Sequence, residues 1–106
     1  QTCALPILGA KVNGISVGLQ GDIGVFSFYV TKLITTGGQG GIVISKNKEH
    51  IETIRDYREF DFRQDTKKRF NFQMTDLQAA IGREQLKKLP IFLKRREEIF
   101  LEQLAR

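Results

Sequence analysis

Apolar positions change their spacing about half-way along the chain. In the first half they come in short runs among glycines, Val25-Phe26-Ser27-Phe28 entered through Gly21-Asp22-Ile23-Gly24, and then Gly41-Ile42-Val43-Ile44-Ser45. Short β-branched and aromatic runs bounded by glycine predict strands, and apolar residues on both faces predict strands buried on both sides, as in α/β sheets. Beyond them the spacing becomes helical. Asn47 is placed to cap a helix running through Ile51, Ile54 and Arg58, while the stretch from Glu59 to Gln73 is polar and irregular. Thr75 and Gln78 form a capping-box signature, opening a helix whose Ala79, Gly82, Leu86 and Leu89 share one face, with small residues that permit close packing. Pro90 is expected to end that helix and to sit in the first turn of the next, where Leu93, Phe100 and Leu104 recur in register. Two short strands and an amphipathic pattern still running at Arg106 lead us to expect a fragment of something larger.

Composition narrows the classes. The chain has 106 residues, 41% of them hydrophobic, with eight Phe, which leaves room for one modest domain. No apolar run approaches the roughly 20 residues of a membrane span, and no signal-peptide layout opens the chain, so a soluble, cytoplasmic protein with no membrane partner is expected. A single Cys (Cys3) and a single His (His50) offer neither a disulfide framework nor a zinc cluster, and Asp61 and Asp65 lack a third carboxylate, so no metal site is expected. His50 reads as a surface residue. The net charge of +5 raises the question of an anionic partner. Most of the positive charge follows residue 54, in Lys67, Lys68, Arg69, Lys87, Lys88, Lys94, Arg95 and Arg96, interleaved with Glu84, Glu97 and Glu98, which reads mainly as solvated helix faces. Aromatic interleaving of the kind used for single-strand binding is missing, so no nucleic-acid partner is expected, although a basic binding module stays the alternative of a different class. Phe60, Phe62, Phe70 and Phe72 read as core or dimer packing in preference to base stacking.

The stretch from Val25 to Gly41 carries the candidate chemistry. A strand leads to a hydroxyl at Ser27 and an amine at Lys32, followed by Thr35, Thr36 and the run Gly37-Gly38-Gln39-Gly40-Gly41. A lysine condenses with an aldehyde cofactor only when deprotonated, which burial or a neighbouring positive charge promotes. The apolar approach from Val25 to Val30 is expected to supply that burial. Ser27, near the strand end, lies where a hydroxyl and loop amides can receive a phosphate. The glycine run is not a Walker A loop, because no Lys-Ser or Lys-Thr pair follows it; it also reads simply as a tight turn into a strand.

The order Gly21-Asp22-Ile23-Gly24-Val25-Phe26-Ser27-Phe28-Tyr29-Val30-Thr31-Lys32, then Thr35-Thr36-Gly37 and Gly40-Gly41, resembles the DegT and StrS group of nucleotide-sugar aminotransferases. Arg69-Phe70-Asn71-Phe72-Gln73-Met74-Thr75-Asp76-Leu77-Gln78-Ala79-Ala80-Ile81-Gly82 resembles that group's second signature, and Gln85-Leu86-Lys87-Lys88-Leu89 with Arg95-Arg96 its continuation. The resemblance covers almost everything from Gly9 to the end. It implies pyridoxal 5'-phosphate as cofactor, Lys32 as the Schiff-base lysine, Ser27 as a phosphate ligand and Asn71 as a ligand to the cofactor phosphate of a partner subunit, hence a homodimer. The substrates it implies are a nucleotide-linked keto sugar and an amino-acid donor, commonly glutamate. Lysine at position 32 sets the chain apart from the dehydratase branch, which carries His there. Tyr29 stands where many members have His, and Gln39 lies near the usual Glu.

The N-terminus departs further from the group. Its ring-nitrogen Asp and the stacking residue three positions on fall by count at Cys3 and Pro6, or with a one-residue slip at Thr2 and Leu5, none of which can do either job. Residues 1–7 match the translation of a common sequencing-adapter primer and are expected to be a non-native segment. The expected organisation is therefore an α/β fragment of a fold-type-I aminotransferase. Residues 8–89 belong to the C-terminal part of its large cofactor-binding domain, and residues 90–106 form the first helix leading into a small domain. Such a fragment is expected to be inactive by itself, and a family member without catalysis, acting as regulator or scaffold, is the remaining alternative.

Overall fold

The computed structural model describes residues 8–105; the expected adapter-derived segment 1–7, with the positions counted for the ring-nitrogen acid and the stacking residue, lies outside the described residues. The chain forms two compact units that alternate in sequence. The first takes residues up to 26 and residues 42–75, and the second takes residues 27–41 and those from 76 onward.

The first unit opens with a hairpin. β1 (Lys11–Val12) and β2 (Ile15–Ser16) pair antiparallel with Lys11 opposite Ser16 and Val12 opposite Ile15. The two residues between them, Asn13 at φ 51° and Gly14 at φ 77°, both adopt positive φ, as a two-residue turn matched to the right-handed twist of its strands requires. A short 3₁₀ turn, Val17–Leu19, follows. β3 (Gly24–Ser27) then pairs with β4 (Gly41–Ile44) in a second two-stranded sheet. The unit closes around Phe26, 4% exposed, whose ring lies against Gly18. A methyl group on Gly18 would collide with that ring, and one on Gly24 would collide with the Gly18 carbonyl.

The expectation that both strands are buried on two faces holds only in part. β3 alternates between buried and half-buried residues, but β4 is exposed at Gly41 and Ile42 and no more than half-buried at Val43 and Ile44. A two-stranded sheet has too little area to cover both of its own faces.

Asn47 caps α1 (Lys48–Tyr57) as its residue type predicts, its Oδ1 accepting the Glu49 N–H at 2.9 Å. Ile51 and Ile54 turn inward but remain half-buried. His50, expected at the surface, is also half-buried, with Nδ1 3.3 Å from Ser45 Oγ. Ser45 in turn donates to the Asp22 carbonyl at 2.6 Å and accepts the Asn47 N–H at 3.0 Å, so one hydroxyl joins the end of β4 to the helix cap.

α2 (Asp76–Leu104) begins immediately after Thr75, where the capping signature places it, and runs unbroken for 29 residues with Pro90 inside. The expected helix break at Pro90 is thus absent. Proline costs one internal hydrogen bond and crowds the preceding turn, but its fixed φ is a helical one. The Leu, Lys, Arg and Glu residues on both sides are strong helix formers whose summed preference outweighs that local cost. Of the expected inner face, Ala79, Gly82 and Leu89 are half-buried and Leu86 is exposed. No described helix is long and apolar enough to cross a membrane.

The glycine contacts around Phe26 lead to a stability prediction. Gly24→Ala should destabilise the protein by about 1–3 kcal/mol, because the new methyl meets backbone and no flexible side chain can yield to it. Urea unfolding would read this as a lower midpoint at unchanged slope; an unshifted midpoint would refute the close approach.

Candidate functional site

Lys32 is carried by a loop whose neck is closed by backbone hydrogen bonds. β3 ends at Ser27, and directly after it the Phe28 N–H donates to the Gly40 carbonyl at 2.8 Å, while the Thr36 N–H donates to the Phe28 carbonyl at 3.3 Å. Tyr29 and Gly38 add an isolated bridge. Within the loop, the Lys32 N–H donates to the Tyr29 carbonyl at 2.8 Å, forming the turn that presents the lysine. Gly37, at φ 85°, occupies the left-handed region that glycine adopts without penalty, and its N–H is held by Thr35 Oγ1 at 3.1 Å.

Two side chains anchor this loop. Ile34 is 2% exposed and Thr36 is 1% exposed. A buried hydroxyl without a partner is costly, and Thr36 meets that demand by donating from Oγ1 to the Gln39 carbonyl at 2.9 Å. Its methyl group lies over Gly82 of α2, where a β-carbon would stand only 2.9 Å from Thr36 Cγ2. The small residue at position 82 therefore permits close packing, as its place on the helix face predicts.

Lys32 itself is exposed, as are Tyr29 and Val30 before it, so the apolar approach from Val25 to Val30 does not enclose the amine among the described residues. Burial along β3 falls on Gly24 and Phe26 and stops before the turn. The Lys32 amine makes no ion pair or hydrogen bond with a described residue. Ser27 is half-buried at the strand end, and its Oγ accepts the Tyr29 N–H at 3.3 Å. These two expected site residues thus share one loop of the second unit.

Asn71 belongs to the first unit, on an extended strap after α1. The Phe70 N–H donates to the Tyr57 carbonyl at 2.8 Å and the Phe72 N–H to the Arg58 carbonyl at 3.0 Å. The strap so occupies carbonyls at the helix end that lack partners within the helix. Phe70 and Phe72 stack with ring centroids 5.0 Å apart, and the intervening Asn71 is exposed, with no described hydrogen-bond partner. The two rings thus pack on each other, though both stay exposed.

An ion cluster just before Asn71 holds the strap. The Arg69 side chain, 5% exposed, donates to both oxygens of Asp65, at 2.6 and 2.9 Å, and to Asp56 Oδ1 at 3.0 Å from Nε. Lys67 pairs with the other Asp56 oxygen and places its amine 4.7 Å from the Tyr57 ring centroid. Hydrogen bonds from Lys67 and then Arg69 hold the Asp56 carboxyl below its ordinary range, and Arg69 does the same to Asp65. The sequence offered no signal for the Asp56 contact, which joins a helix to a loop thirteen positions on; the four-residue spacing of Asp65 and Arg69 was visible but lies outside any helix. Among the described residues no group of three or more His, Cys, Asp or Glu gathers as metal ligands would.

A model of the DegT/DnrJ/EryC1/StrS aminotransferase family matches residues 4–104. UDP-4-amino-4,6-dideoxy-N-acetyl-beta-L-altrosamine transaminase of Campylobacter jejuni is 39% identical over 102 residues, a match covering 87% of this chain and 26% of the relative. GDP-perosamine synthase of Escherichia coli O157:H7 is 34% identical, over 93% of this chain and 28% of its own. Among solved structures, Helicobacter pylori PseC, an aminotransferase involved in the biosynthesis of pseudoaminic acid, matches with a TM-score of 0.78 at 32% identity, over 91% of this chain and 28% of that one. The chain spans about a quarter of the length of these relatives.

The lowered Asp56 and Asp65 carboxyls give the strap a pH dependence. Both are ionised more readily folded than unfolded, so their contribution is full above the ordinary carboxylate value of 3.8 and is lost as pH falls through their folded values. Hydrogen-exchange protection of the Phe70 and Phe72 amides should be constant from pH 7 to 5 and decline only below that value. Asp56→Asn should weaken protection already at pH 7; protection lost between pH 7 and 5 would contradict the cluster's role.

Proposed function

Because the chain belongs to the DegT/DnrJ/EryC1/StrS aminotransferase family, we propose that it forms part of a cytoplasmic, pyridoxal-phosphate-dependent enzyme. This enzyme moves an amino group from an amino acid, glutamate being the expected donor, to a keto sugar carried on a nucleotide. Relatives named as a UDP-sugar transaminase and a GDP-perosamine synthase support the substrate class. The part of the α/β aminotransferase fold shared with PseC supports the enzyme class.

The observation that carries the reading is the Lys32 amine, unpaired among the described residues, on an anchored loop. The residues present fit the cofactor. A primary amine with no competing partner among the described residues can hold an aldehyde, and Ser27 Oγ, having accepted the Tyr29 N–H, keeps its own O–H to donate to a phosphate oxygen. When bound, pyridoxal phosphate supplies an aldehyde and a ring that draws electrons from the carbon being deprotonated. In this reading Lys32 Nζ holds the cofactor and, when freed, accepts the proton leaving the donor carbon. The Asn71 amide, exposed on its strap, donates to the phosphate held by a partner subunit, which makes the enzyme a homodimer. The rest of the enzyme encloses the amine, so residues 1–106 alone do not turn over substrate.

In the full-length protein, Lys32→Ala should abolish transamination while circular dichroism and the unfolding midpoint stay unchanged. Turnover retained in Lys32→Ala would defeat the assignment.

A further inference from the structure

One face of α2 grips the neck of the lysine loop. Gln78, in the first helical turn, donates from Nε2 to the Gln39 carbonyl at 3.2 Å, the same oxygen that Thr36 Oγ1 reaches at 2.9 Å. Ile81 lies within 3.2 Å of where a β-carbon on Gly37 would stand, and Gly82 receives the Thr36 methyl group. Positions 78, 81 and 82 follow the three- and four-residue spacing that puts side chains on one helical face. Three contacts from one rigid element therefore converge on three residues of the neck, namely Thr36, Gly37 and Gln39.

The neck determines where the lysine stands. Phe28 and Thr36, whose backbones bond to each other, bracket the seven residues that carry Lys32 at their middle, and Phe28 is bonded on to Gly40. A shift of the Gln39 carbonyl moves Thr36 through its hydroxyl, and moving Thr36 shifts both ends of the lysine turn. Such a carbonyl accepts two hydrogen bonds, one for each lone pair, and here both donors are side chains. The double acceptance fixes the peptide plane after Gln39 from two directions, one within the loop and one from the helix.

We propose that Gln78 is a positioning residue for Lys32, acting through the Gln39 carbonyl and Thr36 to hold the lysine loop in a single arrangement against α2. The proposal rests on Lys32 being the cofactor lysine. It assigns Gln78 no contact with cofactor or substrate. The same face joins a glutamine, visible in the sequence as a capping residue, to a carbonyl 39 residues earlier.

The test uses Gln78→Met, which keeps length and helix preference but removes the donor, together with Thr36→Val, which keeps the methyl group over Gly82 but removes the hydroxyl. In cofactor-free full-length protein, hydrogen exchange at the Lys32 and Thr36 amides should accelerate about fivefold in each variant, the equivalent of one net hydrogen bond, while exchange in α1 is unchanged. In the loaded enzyme, kcat should fall by about tenfold or more with little change in KM for the amino donor, as a misplaced amine predicts. Unaltered exchange at the neck in Gln78→Met, or unaltered kcat when Lys32→Ala is inactive, would overturn the positioning role and leave the Lys32 assignment standing. Full turnover in Lys32→Ala would overturn that assignment, and the positioning role with it, even with the neck loosened.

Discussion

Thr36 is buried to 1% exposure with a hydroxyl that has to be satisfied inside the protein, and the geometry around the lysine follows from how that demand is met. Its Oγ1 takes the Gln39 carbonyl, three residues on, which the chain can offer only by turning sharply through Gly37 and Gly38 at positive φ. Its methyl group then needs a neighbour without a side chain, which α2 provides at Gly82. Its backbone N–H reaches back to Phe28 and closes the loop that displays Lys32. Hydroxyl, methyl and amide of one threonine thus tie a strand end, a glycine turn and a helix face together.

The first unit solves a different problem, because the strap bearing Asn71 has no regular structure to hold it. Arg69 does so with a planar fork whose donors reach two carboxylates from separate parts of the chain. This cluster also changes the meaning of the basic composition. Lys67 and Arg69 are structural cations matched to Asp56 and Asp65, not part of a solvated helix face. On α2 the expected solvated faces are present, with Lys87 paired to Glu84 at 2.6 Å and Arg95 to Glu98 at 3.1 Å, exposed pairs worth little stability.

Signals that depend on neighbours in sequence were legible. Asn47 as a cap, the start of α2 after Thr75 and the two strands follow from local chemistry and periodicity. The Asn13-Gly14 hairpin was equally available, in the dipeptide most characteristic of such turns, yet its strands are too short to show alternation. Pro90 misled because a local rule met a long helix able to absorb its cost. The Gln78 contact with Gln39 and the Arg69 contact with Asp56 were illegible, since each joins segments that only the fold brings together. Lys32 and Asn71 stood out through a family pattern with a role attached; Thr36 and Gln78 lie in the same family blocks, but their contacts with the Gln39 carbonyl had no signal there.

The exposed apolar residues fit the proposed place of this segment within a larger enzyme. Phe62 at 104% exposure, Phe72 at 70% and Leu77 at 73% stand open to further contacts, and the relatives named above have about three-quarters of their length outside the part matched here. The claim on which the functional reading turns is the identity of the lysine that holds the cofactor. Borohydride reduction of the full-length loaded enzyme, followed by peptide mapping in the mass spectrometer, should place a single pyridoxyl group on Lys32. A pyridoxyl group on Lys11, Lys46, Lys48 or any other lysine, with Lys32 unmodified, would contradict it.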